Sequence, residues 1–298
     1  MSTLFLSGGI FAPAVAEKVA RDKKNVRTRF GEIAYVDHGK GPVALFVHGV
    51  FLNSYLWRHV IDGVADMRRC IAVDLMSHGD TMAREDQDIS FRAQAQMLEA
   101  FCDSMDLDGV DMVGNDSGGA IAQIFAARRP ERIRSLTLTN CDTHDNYPPP
   151  AFAPTRAAAA AGRFSARRLE LLADMELSRP AFAAGYEHVE RVSTETLRAY
   201  LEPLFATPEA TRNLERWLIA EDDNSPTVEI EPLLRQLRAP TLIVWGTADV
   251  FFPLKWAYWL KDTIPGARKV IELDDAKIFF PEERPGALVQ ALREHWRV

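Results

Sequence analysis

The sequence predicts an α/β protein, with a mostly parallel β-sheet flanked by helices and a helical module inserted into it. Three observations carry that expectation. Short, wholly apolar runs recur between helix-length stretches, the pattern of strands buried on both faces of a parallel sheet. Several of these runs end in glycine-bearing turns that lead towards a helix. One long stretch, from about Asp142 to Asp223, keeps helical patterns with no strand signal.

The elements follow in chain order. Residues 1–25 are an N-terminal extension. Its opening, MSTLFLSGGIFAPAVAEK, has an apolar stretch and a small-residue AVA, but no positive residue precedes them, so a cleaved leader is not expected. From Val26, VRTRFGEIAYVDHG alternates and is broken by Gly31, which predicts a hairpin. Val43–Val47, Cys70–Leu75, Val110–Val113 and Ser135–Asn140 are the first buried strands. Between them lie helices at Tyr55–Ala65, at Phe91–Met105 with its Met97, Leu98 and Phe101 stripe, and at Gly118–Arg129, stopped by Pro130. The segment 142–223 opens with NYPPP and runs through RRLELLADMEL and TLRAYLEPLF. An insertion at the carboxyl ends of strands is expected to wall a pocket, so this segment is read as a cap or lid. Thr241–Trp245 and Lys269–Leu273 then repeat the strand pattern, which makes 26–141 and 224–298 the core.

Composition narrows the function. The chain has 298 residues, 47% of them hydrophobic, enough for a large core. A formal charge of −7 with no basic block argues against nucleic acid or an anionic membrane and favours a small neutral or apolar substrate. No apolar run approaches the ~20 residues that span a bilayer. Cys70, Cys102 and Cys141 are isolated among apolar residues, which predicts reduced core thiols in a cytoplasmic protein and no disulfide framework. Neither a cofactor nor a metal site is signalled, and the oligomeric state has no signature.

Residues 114–119 read GNDSGG, with Asp116 and Ser117 side by side in a glycine frame between a strand and a helix. With FVHGVFLNSYLWR, AVDLMSHGDT, WGTADVFFP and FFPEERP, in that order on the expected elements, this stretch resembles the α/β-hydrolase family over nearly the whole chain beyond the extension. In that family the strand-to-helix turn needs small residues two before and two after the nucleophile. Centred on Asp116 the flanks are Gly114 and Gly118; centred on Ser117 they are Asn115 and Gly119, so Asp116 is preferred.

An aspartate nucleophile implies displacement at saturated carbon, or epoxide opening, through an ester on the enzyme. The resemblance is therefore to haloalkane dehalogenases and epoxide hydrolases. It implies an oxyanion hole from the backbone N–H of Val50 or Phe51 and of Ser117, a structural His48, and a triad acid at Asp249 or, as second choice, Asp142. Two departures stand out. Dehalogenases of this type place Asn and Trp where this chain has Val50 and Ser117, and the family's catalytic histidine position is held by Ile278. Shifting the register offers Lys277, and His144 is an alternative base at the pocket mouth. Epoxide hydrolases use cap tyrosines as proton donors; this cap offers Tyr147, Tyr186 and Tyr200. Three functions stay open: a hydrolase of a haloalkane, epoxide or ester with non-standard deacylation, a lyase or isomerase using Asp116 as base, and a ligand-binding homologue without turnover.

Overall fold

The computed structural model describes residues 17–18, 21–220 and 224–297. Among them, eight strands form one sheet: β1 (Lys24–Thr28), β2 (Gly31–His38), β3 (Val43–Val47), β4 (Arg69–Val73), β5 (Val110–Asp116), β6 (Ile133–Cys141), β7 (Thr241–Gly246) and β8 (Ala267–Leu273). Their spatial order is β1-β2-β4-β3-β5-β6-β7-β8, with the β1–β2 and β2–β4 pairs antiparallel and every other pair parallel. The expected α/β sheet is thus present. Both antiparallel pairs involve β2, the second arm of the hairpin around Gly31; β3 follows it through a short turn at residues 39–42, and each later strand is reached through a helical crossover or a longer connection.

Helices α1 (Arg58–Val64), α2 (Phe91–Ser104) and α3 (Ser117–Arg128) pack on the first half of the sheet, and α8 (Lys255–Thr263) and α9 (Pro285–His295) on the second. Between β6 and β7 lie α4 (Ala153–Ala160), α5 (Arg163–Ala173), α6 (Thr194–Phe205) and α7 (Pro208–Leu218). Their apolar faces, including Leu171, Leu197, Leu201, Leu204 and Leu214, join the same core as Phe46, Trp57 and Trp245 of the sheet layer. α3 is almost wholly buried, because it lies between the sheet and α2 and its AIAQIFAA stretch supplies small and apolar residues to both.

Several boundaries differ from expectation. β5 runs three residues past the apolar VDMV, because Asn115 and Asp116 pair with β6 despite their polarity. β4 spans Arg69–Val73, not Cys70–Leu75, and β8 starts at Ala267, two residues early. The helix expected from Tyr55 begins as a single 3-10 turn, Ser54–Trp57, capped by the Asn53 side chain. Lys24 and Asn25, assigned to the extension, belong to β1 and pair with Tyr35 and Ala34. The rest of the extension is outside the described residues apart from 17–18 and 21–23, and so is the leader question. Residues 221–223, at the far boundary of the insertion, are likewise outside them. The three cysteines are buried free thiols. No helix among the described residues is long and apolar enough to cross a membrane.

Candidate active site

The junction of β5 and α3 is a sharp turn whose central residue is Asp116, at φ 58° and ψ −134°. A side chain held in that backbone region stores strain on the order of 1–3 kcal/mol, and such strain persists only where the surroundings enforce it. They do so here by close approach. A Cβ on Gly118 would lie 2.3 Å from the His48 carbonyl oxygen, and one on Gly114 would lie 2.7 Å from the Gly118 carbonyl oxygen. The turn is thus built around Asp116 with Gly114 and Gly118 as its flanks.

The Asp116 carboxylate meets the loop after β3. Val50 donates its backbone N–H to Asp116 Oδ2 at 3.1 Å, and the Ser117 N–H also bonds the carboxylate. Of the two oxyanion donors considered in that loop, Val50 is the one in contact. The Ser117 hydroxyl approaches Oδ1 at 3.4 Å, a long contact. Burial pushes the Asp116 carboxyl up to about 7, against the pull of these donors, and the charge of Asp249 adds to the push.

Two more carboxyls converge on it. Asp142, just past β6, is 2% exposed, and its backbone carbonyl accepts from the Gln123 amide at 2.9 Å. Its carboxyl Oδ1 has no hydrogen-bond partner among the described residues. Burial, then the neighbouring Asp116 charge, raises Asp142 well above the usual carboxylate range. Asp249, in the turn after β7, has both oxygens engaged: Oδ1 accepts from the Phe251 and Phe252 N–H groups at 2.7 and 3.3 Å, and Oδ2 from the Asn140 amide at 2.8 Å. Burial lifts Asp249 to about 7 against those donors. Among the described residues, no group of three or more His, Cys, Asp or Glu side chains is placed to hold a metal ion.

Asp116, Ser117 and Asp142 open on a cavity of about 510 Å³ between the sheet and the insertion. Its walls are mostly apolar, with Phe51, Phe152, Phe164, Phe182 and Phe279 around Trp217 and Tyr147. Ile278 lines it as well, 3% exposed, and its carbonyl oxygen accepts from the Asn115 amide at 3.0 Å. The Phe279 N–H donates to Gly185 of the insertion, where a Cβ would lie 2.4 Å from the Phe279 ring. The lysine next door, Lys277, is half-buried, donates to the Ala183 carbonyl of the insertion and does not line the cavity.

The other expected residues sit elsewhere. His144 is not brought to the cavity: its Nε2 pairs with Glu231 at 2.9 Å and its ring lies against Trp259, because the chain turns at positive φ there and carries the side chain outward. Tyr186 and Tyr200 point their hydroxyls at Glu282 Oε2, both at 2.6 Å, and are not cavity residues; that carboxylate also pairs with Arg58. Of the three tyrosines only Tyr147 faces the cavity. His48 is wholly buried and accepts from the Leu75 N–H at Nε2, and its Nδ1 donates to the Gly49 carbonyl oxygen; burial holds it down to about 4. His78 is also buried, against Trp217. Asn140, Asn115 and Glu282 were not foreseen. The first two had a faint signal, as polar residues closing otherwise apolar strand runs; Glu282 had none.

A family model for the alpha/beta hydrolase fold matches residues 42–284, which include the β3 loop, the Asp116 turn, Asp142, Asp249 and Ile278. The chain belongs to the alpha/beta hydrolase family. Haloalkane dehalogenase 2 of Mycobacterium tuberculosis is 28% identical to this alpha/beta hydrolase over 286 residues, covering 89% of this chain and 92% of that one. The haloalkane dehalogenase of Mesorhizobium japonicum is 41% identical over 107 residues, 36% of this chain and 34% of its own. Among solved structures, the haloalkane dehalogenase DbeA of Bradyrhizobium elkani superposes with a TM-score of 0.76 at 25% identity, covering 91% of this chain and 96% of that one. An alpha/beta hydrolase fold protein of Burkholderia ambifaria reaches 0.79 at 24% identity, covering 90% and 96%, a likeness of fold.

Proposed function

We propose that this alpha/beta hydrolase cleaves small apolar molecules through an ester formed on Asp116. The observation that carries the reading is the Asp116 carboxylate at the strained turn, with Oδ2 on the Val50 N–H and the whole group opening on an apolar cavity. Oδ1 has only the long Ser117 contact and is the oxygen to attack carbon, while Oδ2 becomes the ester carbonyl already facing its donors. The likeness to haloalkane dehalogenases supports carbon–heteroatom cleavage of this kind. Ile278 supplies no base for the second half-reaction, so water must be activated by another group.

A panel of haloalkanes, epoxides and esters followed by intact-protein mass tests this. A substrate-derived increment should map to Asp116, vanish in Asp116→Asn and survive in Ser117→Ala, since Ser117 contributes only its backbone N–H. Loss in Ser117→Ala with retention in Asp116→Asn would transfer the role to serine. The lift of Asp116 to about 7 also favours a second reading, a lyase or isomerase in which Asp116 moves a proton and no ester forms. Turnover in ¹⁸O-water separates the two, because only hydrolysis puts solvent oxygen into product.

A further inference from the structure

We propose that Asp142 stands in for the histidine absent at Ile278, giving a proton to the substrate and then taking one from water, and that the cavity therefore suits epoxides in preference to alkyl halides. This rests on the Asp116 ester reading and adds the identity of the proton carrier. Asp142 shares the cavity with Asp116 and, among the described residues, keeps one carboxyl oxygen without a partner although only 2% exposed. Asp249 cannot take this part, because both its oxygens are held and it does not line the cavity. Nor can Tyr186 and Tyr200, whose hydroxyls donate to Glu282 outside the cavity.

The cycle closes without a further reactant. Asp116 Oδ1 bonds to a ring carbon, the carbon–oxygen bond of the epoxide breaks, and its oxygen takes the proton of Asp142, leaving a hydroxyalkyl ester and an Asp142 carboxylate. That carboxylate takes a proton from water as the water oxygen adds to the ester carbonyl, whose oxyanion faces the Val50 and Ser117 N–H groups. Collapse releases the diol, with the alkoxide taking the proton of the new Asp116 carboxyl, and returns an Asp116 carboxylate and a protonated Asp142. Two carboxyls buried on one cavity resist ionising together, so one proton is stored at rest. Esterification removes the Asp116 charge, which makes Asp142 more acidic at the step where it must donate. With an alkyl halide the carbon–halogen bond breaks, the halide departs as an anion that takes no proton, and the alkyl ester forms beside an Asp142 that has not been converted into a base. The groups facing Asp142 are Asp116, Ser117, Cys141 and Asp249.

The test compares 1,2-epoxyhexane and 1-bromohexane on wild type, Asp142→Asn and Tyr147→Phe, reading adduct by intact mass and product by chromatography. Asparagine is isosteric and neutral, and a normal melting curve checks its fold. Expected are epoxide turnover in wild type and in Tyr147→Phe, and an epoxide rate about 10²–10⁴-fold lower in Asp142→Asn. Bromohexane should give a persistent Asp116 adduct that forms equally fast in both wild type and Asp142→Asn. The wild-type epoxide rate should follow a bell-shaped pH profile, whereas bromohexane adduct formation only rises with pH. Undiminished epoxide turnover in Asp142→Asn, or its loss in Tyr147→Phe alone, overturns the assignment while leaving the Asp116 ester standing. Turnover that survives Asp116→Asn, or no adduct and no turnover with either probe, overturns the ester reading and the proposal with it.

Discussion

Ile278 stands where the resemblance to the family leads one to expect a histidine. Its side chain is buried beside Gly185 and its carbonyl is tied to Asn115, so the loop is held in place by backbone contacts that do not depend on the isoleucine side chain. Ile278→His should therefore fold, and its imidazole should speed the clearing of an alkyl-halide adduct from Asp116 by about 10²-fold or more, read as loss of the mass increment with time. An unchanged adduct in a folded variant would show that this position no longer faces the ester. Asp116 makes a second prediction at this scale. Its folded pKa of about 7 lies above the ordinary aspartate value of 3.8, so the folded state holds a proton that the unfolded state releases as pH rises past about 4. The contribution of Asp116 to stability is thus most favourable below that range and declines until about pH 7. Asp116→Asn removes the penalty: its stability gain over wild type should be near zero at pH 4 and grow to a ceiling of about 4 kcal/mol above pH 7, measured by urea titrations across pH.

At the scale of elements, the β5–α3 turn and the contact between the insertion and the Ile278 loop hold the site together. The atoms that a Cβ on Gly118 would strike are the backbone carbonyl oxygens of His48 and Val47, at 2.3 and 2.4 Å, which cannot move without shifting β3. Gly118→Ala should lower stability by about 3–5 kcal/mol or prevent folding, and thermal melting will show it. The insertion is fastened by Glu282, a side chain only 9% exposed, which pairs with Arg58 and accepts from Tyr186 and Tyr200. Removing one partner of a buried pair costs about 3–5 kcal/mol, because the other charge is left uncompensated. Glu282→Gln should accordingly speed hydrogen exchange in α6 and around Tyr186 more than in β5 and β6. If residues 142–223 act as a lid, a bound substrate should slow exchange there in the wild type. Equal protection in insertion and sheet, unmoved by the mutation or by ligand, would contradict both expectations.

Across the whole molecule, buried titrating groups of two kinds oppose each other. His48 and His78 are kept neutral to about 4 and about 3, so the stability they contribute is lost as pH falls below the ordinary histidine value of 6.5. Asp116, Asp142 and Asp249, all raised by burial, act in the reverse sense. The two sets offset each other in part between about pH 4 and 6.5, and Asp116→Asn should tilt the balance towards a decline in acid relative to wild type, a contrast that melting curves at several pH values will test. The parallel strands of the core were legible because strands buried on both faces are written as continuous apolar runs, VALFV, VDMV and TLIVW, whatever surrounds them, whereas their spatial order was not. The Asp116 turn was legible too, since glycines at 114 and 118 are a local requirement of close backbone approach. Polar residues that close strands, such as Asn115 and Asn140, were not, because their amides serve partners more than a hundred residues away, Ile278 and Asp249. The sequence by itself determined the sheet, the turn and the lack of histidine between residues 188 and 295. Only the tertiary structure decided that His144 pairs with Glu231, that Tyr186 and Tyr200 bond Glu282, and that Asp142 faces the cavity with an unpartnered oxygen. The physical reason is range: apolar periodicity and glycine sterics act between chain neighbours, whereas a carboxyl's proton and partners are fixed by burial and by groups that folding brings together.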